Sequence, residues 1–266
     1  MKAGSLKHLA LALALVCLVA QRPMGLALRL LLPGVDSDPV SFYAAVLLQE
    51  LLLWLLPALA MRPWRVRRLG PRESVAALAW LALPLGALVQ LGMSALTLLF
   101  QPGAESMPLP GTPLGWMLCV LAVVIAPAVC EEAFFRGGVL THLMEVCPPP
   151  VAFILSTGIF ALMHASLTGL PSQLAVSACC TLLMMSTGRC HLPMLAHLGY
   201  NAMALLALFL PRSPLYALCL LAPVAACVPV VRAMRWQREA DAPAMSRFDR
   251  ALAALLLMGE TARYFL

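Results

Sequence analysis

The feature that most constrains this sequence is a series of apolar stretches, most of them long enough for a helix of about 20 residues, separated by short polar loops. A helix of that length crosses a hydrocarbon layer about 30 Å thick. Of the 266 residues, 62% are hydrophobic and 11% are charged. A soluble globular chain carries about 25% charged residues, so this chain has too little polar surface for a soluble domain.

The apolar stretches lack the two-residue alternation of barrel strands, so the sequence predicts an all-α fold, a polytopic transmembrane bundle of about eight helices. We expect a single integral membrane domain over residues 1–266. The first span lies near the N-terminus, and the others are expected at 40–61, 74–100, from Pro113 into Glu131, and at 151–167, 171–188, 192–210 and 214–232.

The two ends of the chain need separate interpretation. A basic start followed by an apolar stretch also fits a signal peptide, but the apolar character resumes at Met24, which favours a first transmembrane helix. Residues 245–266 contain an apolar run too short to span a membrane. They predict a helix that lies on the cytoplasmic membrane surface, with basic residues toward the headgroups.

The distribution of charge predicts the orientation of the bundle. Basic residues gather at Lys2 and Lys7, in the loop of residues 62–73 (hereafter the arginine loop), and at Arg232, Arg235 and Arg238. With eight spans, all three groups fall on one side, which the positive-inside rule makes cytoplasmic together with both termini. The opposite loops hold Asp36, Asp38 and Glu105, with Arg212 as the one exception. The net charge of +6 is therefore a topology signal, and we expect no nucleic-acid partner.

Nine cysteines are present, none in a CxxC pair, and most lie inside apolar runs. Such cysteines are typical of small packing residues in buried helices. The sequence therefore predicts neither a disulfide framework nor a cysteine metal cluster.

Ionisable side chains inside a bilayer cost about 2.5–3.5 kcal/mol each, so they are candidates for function. Glu131 and Glu132 directly follow the apolar run LAVVIAPAV, and Arg136 comes four residues after Glu132. If the helix continues, Glu132 and Arg136 share one face and can pair. Glu131 points about 100° away from Glu132 and stays available for chemistry. The alternative is a helix end that reaches water, where acidic and basic residues have no special meaning.

Two further polar positions follow in later apolar stretches. His164 ends the run ILSTGIFALMH, and His197 lies four residues before Asn201, on the same helix face. A single buried histidine is usually structural, whereas two polar side chains stacked on one buried face need partners in a dry interior. Together with Glu131 they supply a carboxylate, two imidazoles and a carboxamide. This set fits the activation of water and the stabilisation of an oxyanion, or the binding of a divalent metal.

The order of these motifs, EEAFFR at 131–136, FALMH at 160–164 and HLGYN at 197–201, resembles the CAAX-protease and bacteriocin-processing (CPBP) family of intramembrane proteases. The resemblance covers about residues 115–210, as a protease-like core. It implies an eight-helix bundle with a conical cavity open toward the cytoplasmic side and the membrane.

The resemblance also implies roles for the motif residues. Glu131 would be the general base that activates water, and His164 would hold that water. His197 and Asn201 would face the oxyanion, and Glu132 with Arg136 would orient the site. Glu131, His164 and His197 are the implied ligands of a divalent metal such as zinc; a metal-free, glutamate-driven route fits the same residues. The chain has no HExxH sequence of the kind that zincins carry.

The chain departs from the family pattern at Arg189 and His191, where apolar or small residues are expected; they fit the cytoplasmic end of a helix. Glu50 is a further carboxylate inside an apolar stretch, and it either pairs with Gln90 or lines the cavity.

The function expected from this resemblance is an intramembrane endopeptidase that acts on membrane-associated or lipidated peptides and proteins in a bacterial plasma membrane. Two alternatives stay open. One is a catalytically silent scaffold or bacteriocin self-immunity protein of the same fold. The other is a cation- or proton-coupled transporter, although the polar groups cluster late in the chain rather than in two repeated halves.

Overall fold

The computed structural model describes residues 10–32, 34–35, 37–61, 66, 68–70, 74–100, 108–164, 166, 168–233 and 247–263, and the described part is helical without strands. Nine helices follow one another in it. They are α1 (Ala10–Leu31), α2 (Pro39–Met61), α3 (Ser74–Phe100), α4 (Pro113–Val146), α5 (Pro149–Met163), α6 (Leu170–Thr187), α7 (His191–Leu206), α8 (Leu221–Ala233, entered through the 3₁₀ segment Pro214–Leu220) and α9 (Arg247–Arg263).

Six of the described helical segments are long and apolar enough to cross a membrane. They are Ala10–Leu31, Pro39–Met61, Ala79–Thr97 within α3, Pro113–Val146, Leu170–Thr187 and Pro214–Arg232. The helices α5 and α7 are shorter, with 15 and 16 residues. Large apolar side chains such as Trp80, which is 86% exposed, face outward, as they do in proteins that contact lipid. The prediction of an all-α, polytopic membrane bundle is confirmed.

Several predicted boundaries were wrong. The span that begins at Pro113 does not end at the acidic pair, because α4 continues through a π-helical segment, Ala133–Leu140, to Val146. Every residue of that segment is buried, so the acidic pair is not a helix end in water. Helix α7 ends at Leu206 instead of 210, where the chain turns before the 3₁₀ segment.

Some sequence predictions lie outside the described residues. These include the residues of the possible signal peptide before Ala10, most of the arginine loop, and the following charged residues: Lys2, Lys7, Asp36, Glu105, Arg235 and Arg238. The orientation of the bundle in a membrane therefore stays a prediction.

Prolines explain two irregular segments near the acidic residues. The π-helical segments Leu51–Leu55 and Val120–Ile125 each end just before a proline, Pro57 and Pro127. Proline has no N–H and its ring crowds the carbonyl four residues earlier, so the helix widens there. In α2 the carbonyl affected is that of Leu53, and the Cys17 thiol of α1 donates to it at 3.1 Å.

Helices α3 and α7 pack closely because glycines face the contact. A Cβ at Gly86 would collide with the carbonyl oxygen of Ala196, and a Cβ at Gly199 would collide with that of Leu83. Small residues let helix backbones approach in this way inside membranes. The contact fixes the position of α7, which carries His197.

The last helix, α9, packs on α1 and α5 and buries Leu252, Ala253 and Leu256. Its Asp249 carboxylate lies 3.2 Å from Nε2 of the buried His142 in α4. The predicted position of this helix at the cytoplasmic membrane surface stays a prediction.

The described part of the arginine loop binds the end of α6. The backbone N–H groups of Leu69 and Gly70 donate to the carbonyls of Met185 and Ser186, at 2.8 and 3.1 Å. These are carbonyls of the last helical turn, which have no partner within the helix. The loop and the end of α6 therefore lie at the same end of the bundle.

Candidate active site

The predicted site residues come together where α4, α5, α6 and α7 meet. An aromatic cluster supports them: Phe135 packs edge-on against Phe160, with ring centroids 5.1 Å apart. The Phe160 ring in turn lies 4.8 Å from the His164 ring and 5.8 Å from the His197 ring. Phe160, which is fully buried, thus packs against both imidazoles and supports their positions.

One half of the site is a closed network around Glu132. The Arg136 guanidinium donates from Nη1 to Glu132 Oε1 at 2.9 Å, and both side chains are completely buried. His197 Nδ1 lies 2.9 Å from the same oxygen. The pair expected from the four-residue spacing is present, and it also fixes the His197 ring, which the sequence did not indicate.

The second guanidinium nitrogen of Arg136 reaches α6. Nη2 donates to the Ser177 carbonyl at 3.0 Å and to the Ser177 hydroxyl at 2.8 Å. The guanidinium carbon also lies 4.3 Å from the centroid of the Phe160 ring, at cation–π distance. Arg136 therefore ties α4, α5 and α6 together. Sequence analysis missed Ser177, because a serine inside an apolar helix has no pattern that names its partner.

The other half of the site contains Glu131 and His164. His164 Nε2 lies 3.8 Å from Glu131 Oε2, beyond hydrogen-bond length. Glu131 Oε2 is buried and has no hydrogen-bond partner among the described residues. In the described part of the chain, Oε2 of Glu132 is likewise without a partner, so what distinguishes Glu131 is its position beside His164, with 10% of its side chain exposed. A carboxylate that is mostly buried but still reachable beside a histidine indicates a functional group.

The hydrogen bonds define which ring nitrogens face the centre. His164 Nδ1 lies 3.0 Å from the Phe160 carbonyl, which only accepts, so this nitrogen carries a proton. The Glu132 carboxylate likewise accepts from Nδ1 of His197. Nε2 is therefore the ring atom that each histidine presents for chemistry. In metal and hydrolytic sites, such contacts fix the ring and its tautomer.

Glu131, His164 and His197 are the implied ligands of a metal site. Both Nε2 atoms and Glu131 Oε2 are suitable donor types for zinc. In the described part of the chain, however, no group of three or more His, Cys, Asp or Glu side chains is arranged to hold a metal ion. The arrangement therefore offers no ready-made metal site among the described residues, and zinc binding by Glu131, His164 and His197 stays a prediction. The nine cysteines are free thiols in this structure.

Asn201 lies one helical turn after His197 on α7 and is partly buried. Its side chain makes no hydrogen bond to the residues that the structure describes. Arg189 and His191 are exposed at the connection between α6 and α7, so they lie at a helix end, outside the site.

The expected pair of Glu50 with Gln90 is absent from the described structure. Gln90 donates to Ser94 at 3.0 Å and accepts from the Ser172 hydroxyl at 3.4 Å, and Ser172 also bonds to the Tyr200 hydroxyl. Glu50 is buried on α2, close enough to Glu131 to interact with it electrostatically, and its Oε2 has no hydrogen-bond partner among the described residues. The polar residues around Gln90 form a separate network, which the sequence did not predict.

Comparison with known protein families gives one match. Residues 113–203 match the family described as type II CAAX prenyl endopeptidase Rce1-like. The matched range includes all three motifs, and it confirms the family resemblance drawn from them. No curated protein and no solved structure matches the chain.

Proposed function

We propose that this integral membrane protein, which matches the Rce1-like family of type II CAAX prenyl endopeptidases over residues 113–203, hydrolyses peptide bonds of membrane-associated or lipidated substrates, with Glu131 as the general base. The family match supports a peptidase with peptide substrates in a lipid bilayer. The roles of individual residues, the substrate and the bacterial plasma membrane as its location are our proposal.

One observation carries the assignment of the base. Of two adjacent carboxylates, Glu132 is 0% exposed and accepts hydrogen bonds at Oε1 from Arg136 and His197. Glu131 is 10% exposed and lies 3.8 Å from the partly exposed His164. The second oxygen, Oε2, has no hydrogen-bond partner among the described residues in either carboxylate. The Glu132 carboxylate is therefore sealed from a reactant by its partners, whereas the Glu131 carboxylate can be reached beside His164. A general base must lie within reach of the water that it activates, so Glu131 is the candidate.

The reaction begins with a water molecule between Glu131 and His164. One hydrogen of the water is held by Nε2 of His164 and the other by the Glu131 carboxylate. The water oxygen attacks the carbonyl carbon of the peptide as Glu131 takes the proton. The carbonyl becomes a tetrahedral oxyanion, which the Asn201 amide and a protonated His197, paired with Glu132, stabilise by donating hydrogen bonds.

The intermediate then collapses. The carbon–nitrogen bond breaks, and Glu131 returns its proton to the departing nitrogen, which leaves as an amine. The other product is a carboxylic acid, so atoms and protons balance without a co-reactant. The buried surroundings strengthen each of these electrostatic contacts relative to water.

The test is cleavage of quenched fluorescent peptides, one of them farnesylated, by purified protein in detergent. We expect cleavage by the parent protein and by Glu145→Ala, which changes an exposed glutamate of the same helix, and at least a hundredfold loss in Glu131→Ala. A parallel sample with chelator, and metal analysis of the protein, tests the zinc alternative; our route predicts unchanged cleavage.

The same assay separates the alternatives. Equal cleavage by the parent and Glu131→Ala proteins would contradict the role of Glu131. No cleavage of any peptide would favour the silent scaffold or self-immunity protein. Ion or proton uptake into liposomes that depends on Glu131 would favour the transporter.

A further inference from the structure

The residues of the site differ in exposure, and the difference shows where the site opens. The Glu132 side chain is 0% exposed, that of His197 is 4%, that of Glu131 is 10% and that of His164 is 28%. Solvent or a substrate therefore reaches the reacting groups from the side of His164. This residue directly follows α5, where the chain turns toward α6.

A cavity of about 340 Å³ lies beside this turn. Eight polar side chains of the described chain are part of its lining, among them Gln90, Ser94, Thr168, Ser172, Arg212 and Tyr216. They come from α3, from the turn between α5 and α6, from α6 itself, and from the chain that follows α7. We call this cavity the vestibule.

Two observations connect the vestibule to the site. Ser172, on its wall, bonds to the Tyr200 hydroxyl, and the Tyr200 ring lies 6.3 Å from that of His197. Ala204, also on its wall, follows His197 by seven residues on the same helix, which is about 10 Å along the axis. An extended peptide covers that distance with about three residues.

The lining defines what the vestibule accepts. Polar side chains between membrane helices are costly and indicate a ligand or a pathway. An extended peptide brings N–H and C=O groups that need partners, and hydroxyl and amide side chains supply both donors and acceptors. Among the described residues, the lining contains the cation Arg212 and no carboxylate. The volume also lies in the range of about 300–1,000 Å³ that is common for ligand sites.

We propose that the vestibule is the entry and binding site for the extended peptide segment of the substrate, and that Arg212 selects segments with an acidic side chain over those with a basic one. This inference rests on the proposed function for its link to hydrolysis. Its binding component is independent of hydrolysis.

The test exchanges charge at each end of the bundle. Arg212 and Arg189 are both exposed arginines outside the helices, but Arg189 lies at the opposite end, after α6. Two peptides that differ only in one Asp or Lys are compared with the parent protein, Arg212→Glu and Arg189→Glu. Affinity is measured by fluorescence anisotropy, and cleavage is measured as kcat/KM.

We expect the parent and Arg189→Glu proteins to favour the acidic peptide about fivefold, and Arg212→Glu to favour the basic peptide. If the binding affinities show this charge preference but no peptide is cleaved, the result would support the vestibule and refute the proposed function. An unchanged preference in Arg212→Glu, or a reversal in Arg189→Glu, would overturn the vestibule whether or not the peptides are cleaved.

Discussion

Glu131 and Glu132 are neighbours on one helix, yet they occupy opposite halves of the site. Around Glu132, Arg136 of α4 and His197 of α7 donate to one carboxylate oxygen, and Arg136 also donates to a serine of α6. The Arg136 side chain is completely buried, and the His197 side chain is 4% exposed. Around Glu131, the nearest imidazole is 3.8 Å away and belongs to His164, whose side chain is 28% exposed. The first half is sealed from solvent and joined by an ion pair, although Glu132 Oε2 and Arg136 Nε have no hydrogen-bond partner among the described residues. The second half is open to a reactant.

The contrast follows from helix geometry. Residues that are neighbours in sequence point about 100° apart, so one carboxylate meets α6 and α7 and the other meets the end of α5. The sealed half contributes rigidity through its buried ion pair, whereas the open half keeps a carboxylate that a substrate or water can contact. Changes in the two halves should therefore have different effects: loss of stability in one and loss of turnover in the other.

The largest effect on stability is expected from Arg136→Leu. This change leaves Glu132 buried without its guanidinium partner and removes the link to Ser177. Breaking a buried ion pair costs about 3–5 kcal/mol. Thermal unfolding in detergent should show a large decrease in Tm. In Arg189→Leu, which removes an exposed arginine, the free energy of unfolding should stay within about 0.5 kcal/mol of that of the parent protein. Equal Tm values for the two variants would contradict the closed network.

A smaller decrease is expected from Gly86→Ala or Gly199→Ala. Each added methyl group collides with a backbone carbonyl of the facing helix, so α3 and α7 must separate. Overpacking of this kind costs about 1–3 kcal/mol, and the shift of His197 should also reduce kcat. Gly158→Ala is the matched control, since its Cβ would meet only a Leu257 side-chain carbon at 3.9 Å. A control as damaging as the two variants would contradict the close contact.

Ser177→Ala should have a milder effect. It removes the hydroxyl that accepts from Arg136 and keeps the Ser177 carbonyl, so one of the two bonds from Nη2 remains. A bond of this charged type contributes about 1.5–3 kcal/mol. The free energy of unfolding should fall by an amount near the lower end of that range, while KM for the peptide stays unchanged. A change in KM alone would place Ser177 in the open half instead.

Cysteine replacements at the two ends of the bundle can show which end faces the cytoplasm, and we expect them to leave the free energy of unfolding unchanged. Arg212→Cys and Arg189→Cys each place a thiol at one exposed position, at opposite ends of the bundle. The basic loops predict that Arg189 lies on the cytoplasmic side and Arg212 on the opposite side. Arg189→Cys should therefore react with a membrane-impermeant maleimide only after permeabilisation, whereas Arg212→Cys should react in intact cells. The unsubstituted chain corrects for Cys219 and Cys227, which are partly exposed.

Labelling with the reverse pattern would place the vestibule on the cytoplasmic side. The family resemblance implies a cavity open to that side, so this measurement decides between the charge pattern and the resemblance.

Much of the bundle was predictable, because long apolar stretches leave few folds other than membrane-spanning helices. The pair of Glu132 and Arg136 also followed from sequence, since a four-residue spacing on a helix brings two side chains together. The continuation of α4 past Glu132 was not predictable. Polar residues usually mark a helix end, and only the tertiary packing of Ala133–Leu140 shows that this segment is buried.

The contacts between helices were the other part that sequence did not provide. Nothing in the sequence joins Ser177 to Arg136, because these residues are 41 positions apart. The network of Gln90, Ser172 and Tyr200 was missed for the same reason, and Gln90 was paired with the wrong residue. Such pairs depend on which helix faces meet. Here the glycine contact between α3 and α7 contributes to that arrangement.

The central claim is that Glu131 acts as the general base, whereas Glu132 holds Arg136 and His197 in position. The most direct test measures kcat for peptide cleavage and Tm for Glu131→Gln and Glu132→Gln side by side. The account predicts that Glu131→Gln loses at least a hundredfold in kcat and keeps the parent Tm, whereas Glu132→Gln unfolds at a clearly lower temperature and retains measurable turnover when folded. Full turnover in Glu131→Gln, with turnover abolished and Tm unchanged in Glu132→Gln, would contradict it.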